Sequence, residues 1–138
     1  MSNIVQTQAT SFKKELYEAI HDLSTDVLKI ALYTANADLN ESTTVYSTSN
    51  EVVGTGYVSG GVAMTGATIN SSGYTAYVDF ADVVFGAAVT ARCALIYNSS
   101  KANRAIAVLD FGSDKTSATF TITMPSNNAN SALIRSSN

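Results

Sequence analysis

From Val27 onward the apolar residues of this chain recur at every second position, in short runs interrupted by Gly, Asn, Ser, Asp or Pro. A period of two belongs to strands with one covered face, and no helix satisfies it. VLKIALYT is the first such run, with Leu28, Ile30 and Leu32 alternating with Lys29, Ala31 and Tyr33. The same reasoning predicts strands over Val62 to Ile69, Thr75 to Phe80, Thr90 to Asn98, Arg104 to Phe111, Thr119 to Met124 and Ala132 to Arg135. Within two of these, Ala76, Val78 and Phe80 oppose Thr75, Tyr77 and Asp79, and Phe120, Ile122 and Met124 oppose Thr119, Thr121 and Thr123. Cys93 to Tyr97 and Ala105 to Leu109 are apolar at successive positions, as central strands covered on both faces would be. The expected fold is mainly β: a two-layer antiparallel β-sandwich of about seven strands with one N-terminal amphipathic helix.

That helix is read from Phe12, Leu16, Ala19, Ile20 and Leu23, at helical spacing, with Lys13, Lys14, Glu18 and Asp22 on the other side. About three to four turns are expected, capped by Thr10 or Ser11. Two lysines in its first turn oppose the helix dipole, so packing should hold it. Residues 1–9 show no periodicity and read as an N-terminal arm, ordered only when something binds it. Removing residues 2–9 should then leave thermal stability unchanged. Residues 10–138 form a single domain, since a chain of 138 residues buries one core of ordinary size. No internal repeat is visible.

Charged residues make up only 14% of the chain, and Ser and Thr supply roughly a quarter, so the surface is hydroxyl-rich rather than ionic. A net charge of -3 argues against direct nucleic-acid binding, which needs clustered Lys and Arg. No apolar run is long enough for a membrane helix, and the first residues lack a signal-peptide pattern, so synthesis and folding in the cytoplasm are expected. Low charge suits a surface that neighbouring subunits cover, which points toward a homo-oligomer or larger assembly.

Residues for catalysis are sparse. His21 is the one histidine and Cys93 the one cysteine, so no His-rich or Cys-rich metal site assembles, and no metal or cofactor is expected. Cys93 reads as a small buried side chain and His21 as a partly exposed helix residue packing its ring on a neighbour. Asp79, Asp82, Asp110 and Asp114 lie at or near strand ends, where glycosidase chemistry would need two to converge; the plainer reading gives them turns and cross-strand pairs. Asn36, Asp38 and Asn40 alternate as a calcium loop begins, but Glu41 and Ser47 stand where that loop requires Gly and Glu. Asp110, Phe111 and Gly112 mark a strand entering a turn, and the glycines of GTGYVSGG, which open no helix, provide positive φ or close backbone approach.

Residues 35–61 are rich in Asn, Ser, Thr and Gly, a connection long enough to carry a function. Tyrosine offers large contact area with a polar tip. Tyr46 and Tyr57, with Asn50, Gly54 and Gly56 beside them, are therefore the expected partner-contact residues, and none is expected to be catalytic.

The segments TSFKKELYEAIHDL, KIALYTANADLNESTTVYSTSNEVVGTGYVSGG, YVDFADVVF, ARCALIYNSSKANRAIAVLDFGSD and FTITMPSNNANSALIR, in that order, resemble a family of small virion structural proteins of tailed bacteriophages. The resemblance runs from about Thr10 to Arg135, with NEVVGTGY and ALIYNSS followed by AIAVLDFG its more specific blocks. Cys93 departs from the small residue such proteins place there, which bears on packing. The resemblance implies a particle component without enzymatic activity. The leading expectation is a decoration or cement protein of the virion that binds the major capsid protein lattice and stabilises the head. The alternative is a tail, neck or fibre-associated module contacting other tail proteins or the host surface, and a small carbohydrate-active enzyme using the aspartates is the remote third.

Overall fold

A computed structural model describes residues 5–137. The chain runs through β1 (Val5–Gln8), α1 (Thr10–Tyr17), β2 (Leu28–Tyr33), β3 (Val62–Ala63), β4 (Thr68–Ser72), β5 (Thr75–Asp79), β6 (Val83–Phe85), β7 (Val89–Asn98), β8 (Arg104–Ser117), β9 (Phe120–Ile122) and β10 (Ile134–Ser136). The protein is mainly β, with one helix and antiparallel sheets among the described residues. The described residues form three separate sheets, in the orders β1-β8-β7-β2-β3, β10-β5-β4 and β6-β9, with ten strands where about seven in two layers are expected.

β7 and β8 are central, as their apolar runs require: Leu95, Ile96, Ile106 and Leu109 are fully buried. β8 does not stop at Phe111. The cluster Gly112–Asp114 reads as a turn in sequence but forms a bulge, because the register steps from Cys93↔Asp110 to Ala91↔Lys115. Gly112 has a φ of 80°, its N–H donates to the Asp110 carboxylate, and Phe111 is driven into the core. There the Phe111 ring lies 5.9 Å from Phe120 of β9. The predicted strand from Val62 to Ile69 is split into β3 and β4, with Gly66 at positive φ between them, and β6 was too short to show a period.

Of the expected arm, Val5–Gln8 instead pair with β8, from Val5↔Asp110 to Gln8↔Ala107. With Val5 its one apolar residue, no apolar period recommends this strand in sequence; main-chain bonding and two amides hold it. Gln6 Nε2 donates to the carbonyls of Ser131 and Ala132 at 3.1 and 2.9 Å, and Gln8 Nε2 to that of Arg135 at 2.7 Å. Residues 1–4 of that stretch lie outside the described residues.

α1 is shorter than its apolar spacing suggests, and its N-cap is Ala9 rather than Thr10 or Ser11, with no side-chain cap. It ends where Ala19 adopts a φ of 59° and the N–H groups of Ala19 and Ile20 bond back to Leu16 and Glu15. His21 therefore lies beyond the helix and is not partly exposed: its ring is buried against Phe12, centroids 5.1 Å apart. Asn98 Oδ1 accepts from the Ser100 N–H, so its amide nitrogen faces Asp26 Oδ2 at 2.7 Å and His21 Nδ1 at 2.9 Å. His21 Nδ1 must then accept, leaving the proton on Nε2 to be donated to Glu15 at 2.8 Å. Glu15 also accepts from Arg104, which ties α1 to β8.

Candidate functional site

The long connection between β2 and β3 is stitched to the sheet at two places. The Thr34 N–H donates to the Asn50 carbonyl and the Val52 N–H to Leu32, so residues 50–52 run beside the end of β2. Further back, the Tyr46 N–H donates to Asn103 and the Ala105 N–H to Thr44, docking the loop on the β7–β8 turn. These contacts bring a buried carboxylate, Glu51, under the loop.

Glu51 Oε1 accepts from the Tyr46 hydroxyl at 2.7 Å and the Ser59 hydroxyl at 2.9 Å. Its Oε2 accepts from the Tyr57 hydroxyl at 2.7 Å and the Gly60 N–H at 2.9 Å. Four donors on two oxygens satisfy a charge that burial would otherwise make costly. Aromatic rings wall the cluster: Tyr46 stacks on Tyr97 at 4.6 Å, and Tyr57 lies parallel to Phe85 at 6.0 Å. The Tyr97 hydroxyl donates to the Gly60 carbonyl, the Tyr33 hydroxyl to that of Ser47, and the Tyr57 oxygen also accepts from the Leu32 N–H. Burial pushes the Tyr97 hydroxyl up to about 12. Burial and then the Glu51 charge raise Tyr33 well above the ordinary tyrosine range, and Tyr57 rises in the same way through burial and its bond to Glu51. All are kept as neutral donors, which suits a structural tie and gives no nucleophile or base.

The structure thus places the predicted contact residues as follows. Tyr46 and Tyr57 are half-buried with their hydroxyls turned inward on Glu51. Asn50 is exposed at a φ of 62°, its amide donating to the Asn36 carbonyl at 3.2 Å. Gly54 approaches the Val89 side chain, and Gly56, with a φ of 87°, sits where a Cβ would meet the Gly86 carbonyl at 2.5 Å. Gly61 likewise needs its φ of 81°, because a side chain there would overlap the Ile30 carbonyl. The apolar side chains of the connection that face outward most are Val53 and Val58, 97% and 72% exposed. Glu51 and Ser59 have no role assigned from sequence; Tyr33 and Tyr97 read there as strand residues, and Gly60 as one of the GTGYVSGG glycines, whose expected positive φ is observed at 99°. A signal existed: Glu51 is the only charged residue between Glu41 and Asp79, in a stretch dense with hydroxyl donors.

The other candidates have local duties, except Asp79, whose expected cross-strand side-chain pair is not formed among the described residues. Asp110 accepts from the Arg92 guanidinium at 3.1 Å, and Asp82 accepts from the Met124 N–H at 2.7 Å. Asp79 Oδ1 is buried with no hydrogen-bond partner among the described residues; burial and the nearby Asp82 charge raise its carboxyl. Asp114 is exposed on β8. Asn40 and Asp38 bond one another and the Ser42 N–H closes on Asn40, an Asx turn rather than an open ring of ligands. Burial pushes the Cys93 thiol up to about 11, away from the reactive thiolate. Among the described residues no three His, Cys, Asp or Glu side chains gather to hold a metal, and no helix is long and apolar enough to cross a membrane. Compared with protein-family models, curated proteins and solved structures, the chain finds no match.

Proposed function

We propose that this protein is a structural component of a tailed-phage virion, a decoration or cement protein that binds the major capsid lattice through the loop built over Glu51. The observation that carries the reading is the two-sidedness of that loop. Its underside is fixed by four hydrogen bonds to one carboxylate, while Val53 and Val58 project into solvent from a backbone already ordered. Exposed apolar side chains on a pre-ordered backbone bind with little further entropy loss, which is what a contact surface requires. Many such modest contacts on a lattice hold by multiplicity, with no reactive group needed. The same reading keeps the two-layer sandwich: the Phe111–Phe120 and Phe85–Phe120 ring contacts support the β6-β9 pair as part of a second layer over the large sheet.

The test is incorporation into purified particles. Val53→Asp combined with Val58→Asp is expected to lose particle binding with a melting temperature close to that of the parent chain, because neither side chain is packed. Undiminished incorporation overturns the loop reading. Copy number in the particle separates the head role, at hundreds of chains set by lattice symmetry, from a neck or tail role at roughly a dozen.

A further inference from the structure

We infer that two copies of this chain associate edge to edge through β4, forming a two-fold dimer whose axis passes beside Asn70. Among the described residues β4 has β5 on one side and no strand on the other, and all five of its residues are exposed. It is joined to β5 by the two-residue turn Gly73-Tyr74, with Gly73 at a φ of 58°, and Ser72↔Thr75 is the pair next to the turn. A turn of two residues closes on a hydrogen-bonded pair, so Ser72, Asn70 and Thr68 bond inward to β5. Ile69 and Ser71 therefore direct their N–H and C=O groups out of the free edge.

Those four groups are self-complementary. In an antiparallel copy centred on Asn70, Ile69 pairs with the partner's Ser71 and Ser71 with the partner's Ile69, and every outward donor meets an acceptor. The devices that normally protect an edge are missing: Thr68–Ser72 holds no Lys, no Pro and no bulge. A second copy is the occupant this strand suits, since the same two residues supply both halves of the pairing. The molecule carries a net charge of -3, so copies repel in general, yet Thr68–Ser72 itself is uncharged and the neighbouring carboxylate, Asp79, lies opposite Thr68 at the end of the strand, two residues from the axis. The apolar part of the contact comes from Ile69, which is 54% exposed. It lines a groove of about 450 Å³ with Leu16, Leu23, Val78 and Ile134, between the end of α1 and the three-stranded sheet, to which Gln8 and Asp22 add polar groups. Pairing makes the two Ile69 side chains diagonal neighbours and joins the two grooves across the axis.

Sedimentation of the purified chain from low micromolar to several hundred micromolar tests this without any other virion protein, so its outcome is independent of the capsid reading. A monomer–dimer equilibrium is expected. Ser71→Pro, which removes an outward N–H and leaves the bonds to β5 in place, should weaken it at least about tenfold. Ile69→Lys should do the same by placing two ammonium groups side by side. Asn70→Cys should form a disulfide-linked dimer under mild oxidation much faster than Tyr74→Cys at the turn, since opposed residues at the axis lie about 4.5 Å apart. A chain that stays monomeric, a dimer indifferent to both edge variants, or equal cross-linking at the two positions overturns the inference.

Discussion

Glu51 concentrates more polar bonding than any other side chain among the described residues, and what it does follows from replacing it. Glu51→Ala strands two tyrosine hydroxyls, a serine hydroxyl and the Gly60 N–H beneath the loop. Hydrogen bonds to a charged acceptor are worth about 1.5–3 kcal/mol singly and less than additive together, so a loss of about 3 kcal/mol is expected in chemical denaturation. Cleavage of the native chain within residues 47–60 should rise in parallel. Asp79 is the opposite case, a carboxylate that harms. Because its folded pKa is raised, the native state holds the proton more tightly, and stability falls as pH rises from the ordinary carboxylate value through the raised one. Asp79→Asn should raise the melting temperature at neutral pH and give no gain at pH values below that window. An equal gain at both ends would show that charge is not the cause.

At the scale of elements, the end of α1 carries a correctable strain. Ala19 holds a left-handed φ of 59°, which costs an L-residue about 1–2 kcal/mol and costs glycine almost nothing. Ala19→Gly is expected to stabilise by about 1 kcal/mol in a denaturant titration, and Ala19→Val to destabilise. β1 gives a second prediction: deleting residues 2–9 removes the strand on β8 and the Gln6 and Gln8 amide bonds, so the melting temperature should drop rather than hold. Both features mark where the sequence was hard to read. β2, β5 and β9 were legible from a period of two in their sequence, and β7 from an apolar run covered on both faces. β1 is polar and exists through main-chain pairing, and the β8 bulge wears the residues of a turn, so neither leaves an apolar period to find. In the loop, Tyr46 and Tyr57 were legible as special but their direction was not, because inward or outward depends on Glu51, distant in fold logic although near in number.

For the whole molecule, stability is bounded by ionisation on both sides. Burial pushes the Asp26 carboxyl up, but hydrogen bonds from Lys101, Asn98 and the Asp22 N–H outweigh it and hold the group at about 2. Burial also raises Glu15, and its bonds to His21 and Arg104 outweigh that, leaving it below its ordinary value. Depressed carboxylates stabilise above their unfolded pKa and lose that contribution as pH falls through the folded one, so the acid limb should fall from the ordinary carboxylate range toward about pH 2. Asp26→Asn should flatten it by about 1–2 kcal/mol, discounted because the Lys101 ammonium is partly in water. On the other side, Tyr33, Tyr46, Tyr57 and Tyr97 are all raised, chiefly by burial. The unfolded chain releases those protons first, so stability is full below the unfolded value of 10.0 and is lost above it. Melting temperature against pH should show a plateau between the two limbs, and phenolate absorbance of these four should appear together with unfolding.

The tie-points of the Glu51 loop all lie beneath it, which leaves Val53, Thr55 and Val58 without architectural duty. Side chains there are free to diverge while the backbone keeps its shape. A short foreign epitope grafted over those positions would be shown on a rigid mount, and its recognition could be retuned by substitution alone, with no need to refold the chain beneath it.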